Sequence, residues 1–467
     1  VSVPAMASVT GGFALGASGV DVYGNPGGSA GPVLSVTRRR WQVPLSQLGA
    51  LSSVTEPAMD TAGNVYVAFA SGTFGQVTQV RPDGGLGWVQ TGYGAVTAPA
   101  VWSPNGNPDG GPGLFVATRL LSQAQVRLLD VTGGGETSSE VCTFNTTYSA
   151  RMLSLGRTVV TAREVTATQQ QLYLADPSGG NCNSNGTVAV TGRATVVGRQ
   201  QVDGTTEVYA GSTGISGFFR LTVSDAGTQW IDGTNTLGTP TFIGSLALSS
   251  TRGFLTPNGP NRSEGVIASN LSSQTPATVS ALLSPGMEEW TGATLRRATG
   301  NQVEVYFGNA GGTSAARLHL TQFTPQSLPM TGTFAPNMQA AAARDAFSAV
   351  SFTPAHAPIL TSGGGVLMVS RTGAVSFLDR QGMRQWVAAD GDTGFGAVSV
   401  SPVLDVSRTR PVCQAPGTLY VLSNDGVLTA FIVDARGLDS QADWPRFQHD
   451  NANSGNASTA LTPWACP

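Results

Sequence analysis

The fold is indicated by the stretch 357–386, which reads APILTSGGGVLMVSRTGAVSFLDRQGMRQW. It contains three short apolar runs, at residues 357–360, 366–369 and 374–379, which are separated by glycine-bearing turns and followed by Trp386. Short apolar runs bounded by turn residues are typical of β-strands. The stretch therefore predicts a unit made of three strands and a tryptophan.

The same pattern returns in the stretch 401–431, SPVLDVSRTRPVCQAPGTLYVLSNDGVLTAF. Its turn Asn424-Asp425-Gly426 favours a tight hairpin, because Asp and Gly both tolerate positive φ. A good upstream copy covers residues 56–88, and weaker copies lie between. The copies begin at eight positions, which are Pro57, Pro99, Ala150, Ala194, Pro240, Ala293, Pro358 and Pro402.

A repeat of about 42 to 65 residues with strand content is typical of a β-propeller, whose blades gain a core by packing around a ring. We predict an all-β, eight-bladed propeller with four strands in each blade. Five tryptophans fall at the same place in the unit, where a large ring fills the gap between blades. They are Trp41, Trp88, Trp230, Trp290 and Trp386.

The repeat resembles the PQQ-like, or tryptophan-docked, propeller family, over about residues 41–440. The tail WPRFQHDNANSGN at residues 444–456 is similar to a phrase common in exported bacterial members of this group, notably in myxobacteria. Quinoprotein dehydrogenases of the family place two adjacent cysteines beside the quinone and bind calcium with nearby acidic residues. This sequence has no adjacent cysteines, so the resemblance implies the fold rather than quinone-dependent catalysis.

Three segments are predicted from these boundaries. Residues 1–34 form a Gly-rich N-terminal extension, residues 35–440 form the propeller, and residues 441–467 form a tail docked on it. The segment 35–44, with Trp41 in the docking position, is expected to complete the last blade beside residues 427–433. A short helical insertion is predicted at residues 336–347, where proline opens an alanine-rich run.

Composition limits the function classes. The net charge of -3 offers no basic stripe for a phosphate backbone, which argues against a nucleic-acid partner. The chain has no lysine, so a P-loop or Schiff-base lysine is excluded. The chain has no run of eighteen or more apolar residues, so no membrane-spanning helix is predicted. The start at Val1, without a signal sequence, fits an exported chain whose signal has been removed, although a trimmed chain looks the same.

Four cysteines without a CxxC pair favour two disulfides over a zinc site. Four cysteines allow three pairings. The shortest loops join Cys142 to Cys182 and Cys413 to Cys466, and this pairing is the one we predict. It implies an oxidising compartment, namely the extracellular space, the cell surface or the periplasm.

Candidate chemical motifs have competing structural interpretations. The GxSxG pattern at residues 27–31 is a nucleophile elbow only between a strand and a helix, and here we expect a flexible loop. The histidines His319, His356 and His449 stand in different repeat units, so a metal or triad role requires the fold to gather them.

Two further motifs could bind ions. Asn105, Asn107 and Asp109 place oxygen atoms at alternate positions before a glycine, as in calcium loops, although a plain turn is the competing interpretation. Calcium is thus the one cofactor with a candidate site. Residues 38–40 form an Arg-Arg-Arg run, which could bind phosphate or an acidic polysaccharide, or could mark an exposed edge strand.

Two functions remain open. The first is a non-catalytic binding or scaffold protein, for cell-surface, adhesion or assembly roles, that recognises a protein or glycan through propeller loops. The second is a propeller enzyme (lyase, glycosidase or quinone-type dehydrogenase) with a site in the central funnel. Because the sequence offers few paired titratable groups, we favour the first. Three carboxylates converging in the funnel would favour the second.

Overall fold

Short strands joined by tight turns make up the computed structural model of this protein. It describes residues 13–20, 26–34, 38–45, 51–132, 138–144, 151–166, 169–178, 181–188, 194–212, 218–238, 245–249, 252–256, 264–270, 278–282, 291–297, 303–309, 317–323, 354–379, 384–388, 396–406 and 416–461. Within these residues there is no α-helix, which agrees with the all-β prediction. The predicted helix at residues 336–347 lies outside the described residues.

The first strands of the chain lie in two different sheets. A hairpin of β1 (Phe13–Val20) and β2 (Pro26–Leu34) comes first, and β3 (Arg39–Pro44) then joins the last sheet. The predicted loop at residues 27–31 is wrong, because this GxSxG segment lies inside β2 and its backbone pairs with β1. A nucleophile elbow needs a sharp turn into a helix, so a strand interior gives the serine no such geometry.

A nine-stranded sheet follows. It contains β4 (Ser53–Val54), β5 (Ala58–Met59), β6 (Val65–Ser71), β7 (Phe74–Val80), β8 (Leu86–Val96), β9 (Val101–Ser103), β10 (Gly113–Leu120), β11 (Gln123–Asp130) and β12 (Ser138–Phe144). Its two halves are joined where the end of β8 pairs with β10.

Six smaller antiparallel sheets complete the chain. The first two contain β13 (Leu153–Ser154), β14 (Val159–Thr166), β15 (Gln169–Asp176) and β16 (Asn181–Val188), then β17 (Ala194–Gln200), β18 (Thr206–Ser212), β19 (Phe218–Val223) and β20 (Trp230–Gly238). The next two contain β21 (Ser245–Leu248), β22 (Arg252–Thr256), β23 (Glu264–Asn270) and β24 (Thr278–Leu282), then β25 (Thr294–Arg297), β26 (Val303–Asn309) and β27 (Arg317–Phe323). The last two contain β28 (Ile359–Leu360), β29 (Val366–Val369), β30 (Val375–Leu378) and β31 (Arg384–Ala388), then β32 (Val403–Asp405), β33 (Gly417–Leu422) and β34 (Val427–Val433) beside β3.

Successive sheets share apolar clusters, and the last sheet packs on the nine-stranded sheet. Val403 and Leu422 of the last sheet lie in one buried cluster with Val65 and Phe69 of the nine-stranded sheet. The innermost strands of consecutive sheets also contact one another. The contacting pairs are β5 and β9, β9 and β13, β13 and β17, β17 and β21, β21 and β25, and β25 and β28. The sheets therefore close into a ring. Burial of one such aliphatic side chain contributes about 1.5–3 kcal/mol, so the ring is stabilised by the contacts between sheets.

The predicted ring closure is confirmed. Strand β3 pairs antiparallel with β34, and Trp41 stands opposite Ala430. The Trp41 ring lies 5.5 Å from that of Tyr420, and its Nε1 donates to the carbonyl of Pro82, 3.1 Å away in the turn between β7 and β8. Trp41 therefore fills the gap between the last and first sheets, as its place in the repeat predicts.

The predicted disulfide between Cys142 and Cys182 is present. It links β12 to β16, the last strands of two consecutive sheets, and the Cα atoms are 5.8 Å apart. Cys413 and Cys466 lie outside the described residues, so their pairing stays a prediction. The described part of the chain holds no helix long and apolar enough to cross a membrane.

Candidate functional site

The centre of the ring is crossed by residues 439–457, which we call the hub segment. Backbone N–H groups of six central strands donate to its carbonyl oxygens at 2.7–3.0 Å. The pairs are Met59 to Asn451, Trp102 to Ala452, Ser154 to Ser454, Gly198 to Gly455, Leu295 to Trp444, and Leu360 to Pro445. A seventh strand, β32, is reached by the Asn451 side chain, which exchanges two hydrogen bonds with the Leu404 backbone.

This contact satisfies the backbone of the central strands. The edge strand of a sheet presents unpaired N–H and C=O groups that must find partners when buried. The hub segment supplies those partners for strands from around the ring. Asn453 adds side-chain bonds by donating from Nδ2 to the carbonyls of Pro57 and Ala100, at 3.0 and 3.1 Å. The segment thus ties sheets that are far apart in sequence.

Arg446 anchors the middle of the hub segment and is fully buried, with none of its surface exposed. Its Nε donates to the Pro402 carbonyl at 3.2 Å, and its Nη1 donates to Asn453 Oδ1 at 3.0 Å and to the Asp450 carbonyl. Burial lowers the pKa of Arg446 to about 10, against the opposing charges of Asp450 and Glu56. The guanidinium therefore stays charged at neutral pH.

Asp450 is the buried carboxylate of the same network. Burial acts to raise its pKa, but hydrogen bonding and charge from His449, together with hydrogen bonds from Ser454, outweigh burial and leave the pKa below its ordinary value. The Ser454 N–H donates to Asp450 Oδ1 at 3.0 Å. Asp450 is thus an ionised structural acceptor, because hydrogen bonds to the charged form favour it.

Two ion pairs fix the start of the hub segment to β25. Arg296 Nε lies 2.6 Å from Asp439 Oδ2, and Arg297 pairs with Asp443. Arg296 is almost fully buried and also donates to the carbonyl of Gly364 at 2.9 Å. Burial raises the pKa of Asp443, while the charge of Arg297 acts to lower it. These polar groups bind one another, and none is left as a free base.

Two of the three histidines lie at the hub. The His449 ring packs edge-on against Trp444, with 5.2 Å between centroids, and its Nδ1 lies 3.5 Å from Asp450 Oδ2. His356 is buried, and its Nδ1 bonds the Ala357 carbonyl at 2.6 Å. His319 lies in β27, and its side chain is outside the description. Among the described residues, no three His, Cys, Asp or Glu side chains come close enough together to hold a metal ion.

His356 is expected to make stability depend on pH. Burial lowers its pKa to about 4, with a smaller contribution from the charge of Arg446, whereas an unfolded histidine titrates near 6.5. Between pH 6.5 and pH 4 the unfolded chain binds a proton at His356 that the folded chain does not bind. The free energy of unfolding is therefore unaffected above pH 6.5 and falls as the pH drops toward 4. The loss at pH 4.5 should be about 2–3 kcal/mol. Urea unfolding of the wild type and of His356→Gln at pH 7.0 and 4.5 measures it, and equal pH slopes in the two proteins would contradict it.

The predicted calcium loop is a closed turn whose members have different surroundings. Asn107 is buried, and its Nδ2 donates to the Pro112 carbonyl at 2.8 Å and to Asp130 Oδ1 at 3.2 Å. Asp109 accepts from the Gly111 N–H at 3.0 Å, and both Asp109 and Asn105 are exposed. Asn107 and Asp109 thus close the turn themselves, and calcium binding stays a prediction.

The arginine run at residues 38–40 lies on β3 and the residue before it. Arg38 pairs with Asp434 at 2.9 Å and also donates to the Ile432 carbonyl. Arg39 donates to Gln42 at 3.2 Å, and Arg40 is exposed. Arg38 and Arg39 thus bond to residues of their own sheet or to residues directly next to it in the chain.

Exposed apolar side chains gather at two hairpin tips on the nine-stranded sheet. Phe74 begins β7, and Leu120 and Leu121 stand at the β10–β11 turn, with exposed fractions of 62%, 40% and 89%. Phe74 pairs with Gly94, and a side chain at Gly94 would overlap the backbone of Arg119 and Leu120. Phe74 on β7 and Leu120 on β10 therefore lie on either side of the end of β8, and we call the three exposed residues the hairpin patch.

Sequence reasoning missed both the hub and the hairpin patch. Arg446, Asp450 and Asn453 belong to a polar, Asn-rich tail with no strand periodicity. The available signal was the pair of aromatic residues, Trp444 and Phe447, flanking a lone arginine, since buried aromatics imply that the segment between them is also buried. The patch had no signal, because its residues are far apart in sequence.

No protein-family model matches the chain, and no curated protein matches it. Among solved structures it is similar to Sqt1 of Saccharomyces cerevisiae, with a TM-score of 0.54 and 11% identity over 82% of this chain and 96% of that chain. It is also similar to the computationally designed Ika8 protein (TM-score 0.49, 12% identity, 82% and 98% of the two chains). For BamB from Moraxella catarrhalis the values are 0.36, 15%, 81% and 85%. Sqt1 is a WD40 propeller, so this likeness supports a β-propeller fold and bears on the fold alone.

Proposed function

We propose that this chain is an exported, eight-bladed propeller that binds a protein partner through the hairpin patch and carries out no catalysis at its hub. The observation that carries the proposal is Leu121, which is 89% exposed and has a φ of 55°. A leucine at positive φ is strained, and Asn or Gly fits such a turn better. We infer that the strain at Leu121 is retained because its exposed side chain contacts a partner protein.

The blade count is inferred from the sheets. Strands β5–β8 and β9–β12 each match one repeat unit, so the nine-stranded sheet counts as two blades that share the β8–β10 pairing. Together with the six other sheets of the ring, this division supports the eight blades predicted from the repeat. The sheet of β25–β27 has three described strands.

Export is supported by the disulfide between Cys142 and Cys182, because disulfides persist mainly in oxidising compartments. The resemblance of the repeat and tail to exported bacterial PQQ-like propellers agrees with this location. The hub supports the absence of catalysis, since Arg296 and Arg297 pair with Asp439 and Asp443, and Arg446 donates to oxygen atoms of the segment itself. The calcium loop is an independent part of the proposal, and it would stabilise the turn at residues 105–113 if occupied.

The chemistry of the hairpin patch favours a protein over a glycan. Its side chains are two leucines and a phenylalanine, and exposed apolar clusters of this kind mark protein–protein contacts. Arg119 is exposed beside Leu120, and within the described part of the chain its guanidinium has no ion-pair partner. We infer a partner whose apolar surface is bordered by carboxylates, because rim charges of opposite sign orient an encounter.

A photo-crosslinking residue at position 121, introduced in the producing cell, tests this function. We expect one discrete protein adduct, and the identified partner should then bind Leu121→Asn at least about tenfold more weakly than the wild type, since a central apolar anchor contributes 2 kcal/mol or more. Leu121→Asn should fold at least as stably, because Asn tolerates positive φ.

The matched control is Val202, a fully exposed valine in a turn after β17 on another sheet. A crosslinker at position 202 should give no such adduct, and Val202→Asn should bind the partner as the wild type does. The proposal is contradicted by identical adducts from both positions, by adducts to glycan alone, or by a partner whose affinity is unchanged in Leu121→Asn.

A further inference from the structure

A cavity of about 350 Å³ lies between the hub segment and the first and last blades of the ring. Its walls come from the ends of β5 and β32, from Asn451 and its neighbours, and from residues 459–461. The rim residues Thr61 and Ala460 are exposed, so the cavity opens to solvent there. This volume is at the small end of the range for ligand pockets. We call it the seam cavity.

The seam cavity is separate from the hairpin patch. Strand β6 begins beyond the Asp60–Asn64 turn at the cavity and ends at the Gly72 hairpin next to Phe74. The cavity and the patch therefore lie at opposite ends of the same strand, on opposite faces of the ring. A ligand in the cavity would leave the hairpin patch free.

The charged part of the cavity wall is acidic. Asp60, Asp405 and Asp450 all line it, and none of its described lining residues is basic. The Asp60 carboxylate is held in place by the Tyr66 hydroxyl at 2.8 Å and by the backbone and side chain of Asn64 at 2.8 Å. These bonds use three of the roughly four acceptor positions of a carboxylate, so one position remains for a donor.

The rest of the wall is apolar. Met59, Leu404, Leu438 and Leu461 line it together with Trp102. Trp102 is 8% exposed, and its Nε1 has no hydrogen-bond partner in the described part of the chain. A tryptophan ring also attracts a cation through its π-face. The cavity thus combines an apolar body with fixed negative charge.

We propose that the seam cavity binds an organic cation, a protonated amine carried on an apolar stem. The stem would pack on Leu404, Leu438 and Trp102, and the ammonium would donate to Asp60. The three carboxylates do not converge closely enough to hold a metal ion, which favours an extended organic cation that spans part of the wall. This site is independent of the proposed protein partner, because it lies on the other face of the ring.

Binding of 2-phenylethylamine, measured by calorimetry and by ligand-observed NMR on the full chain, tests the proposal. The matched neutral probe is 2-phenylethanol, which has the same shape without the charge. We expect the amine to bind saturably at one site, at least about tenfold more tightly than the alcohol, since a hydrogen bond to a charged group contributes about 1.5–3 kcal/mol. Asp60→Asn should bring the two affinities close together, whereas Asp83→Asn, at an exposed turn of the same blade, should leave the preference intact.

Thr61→Arg provides a second variant at an exposed rim position where folding is not at risk. The added guanidinium should weaken amine binding and leave binding of the alcohol within about twofold. The proposal is overturned by equal affinity for amine and alcohol in the wild type, by no saturable amine binding, or by an amine preference that survives both Asp60→Asn and Thr61→Arg.

Discussion

Replacing Arg446 with methionine should lower the free energy of unfolding by about 3–5 kcal/mol, because three buried acceptors lose a charged donor and each such loss costs about 1–3 kcal/mol. Arg446 is fully buried and donates to Pro402, Asp450 and Asn453. Methionine fills much of the volume but donates no hydrogen bond. The carbonyls of Pro402 and Asp450 and the side-chain oxygen of Asn453 would then stay buried without their donor.

Urea unfolding of Arg446→Met, with Arg81→Met as the matched control, measures this effect. The Arg81 side chain is 54% exposed and lies 3.8 Å from the Asp83 carboxylate, and such surface pairs contribute about 0–1 kcal/mol. We expect a large fall in the urea midpoint for Arg446→Met and almost none for Arg81→Met. A fall of less than about 1 kcal/mol in Arg446→Met would mean that the hub network does not hold the ring together.

The repeat could be predicted from the sequence because its signals are local. The apolar runs at residues 366–369 and 427–431 lie within β29 and β34, and the Asp-Gly turn between β33 and β34 has Gly426 at a φ of 79°. Ring closure by Trp41 could be predicted as well, because a leftover strand with a docking tryptophan must pair with the last repeat. Strand periodicity and turn chemistry are short-range properties.

The hub could not be predicted in this way, because its contacts are long-range. Asn453 binds the carbonyl of Pro57, 396 positions away, and Arg446 binds that of Pro402, 44 positions away. An irregular segment has no periodicity from which burial can be read, and a polar tail usually indicates solvent exposure. The tail was expected to dock on the propeller, but its course through the centre of the ring depends on hydrogen bonds that no local pattern records.

The hairpin patch is a second feature beyond local reasoning. Phe74 and Leu120 belong to different repeats, and they lie on either side of the end of β8 because β8 pairs with both β7 and β10. That pairing merges two blades into one sheet, which the repeat pattern alone does not predict. A functional surface of this protein is therefore set by how blades join rather than by the content of any one blade.

The hub segment should exchange its backbone amide hydrogens as slowly as the core strands do. Its amides bond within the segment and to the central strands, for example Trp444 N–H to Leu295 and Ala457 N–H to Gly198. Exchange through local opening is slowed by the free energy of that opening, which for core elements approaches the global stability. We expect peptides covering residues 443–456 to exchange at least about a thousandfold more slowly than an unstructured chain.

Hydrogen–deuterium exchange of the intact chain, followed by mass spectrometry of peptides covering residues 443–456, tests most directly whether this segment closes the centre of the ring. Peptides covering β33 and β34, at residues 417–433, serve as the internal reference for a core strand. The closed hub predicts that the two sets of peptides exchange at similar rates. Complete exchange of residues 443–456 within seconds, while residues 417–433 stay protected, would contradict it and would leave the centre of the ring open to a ligand.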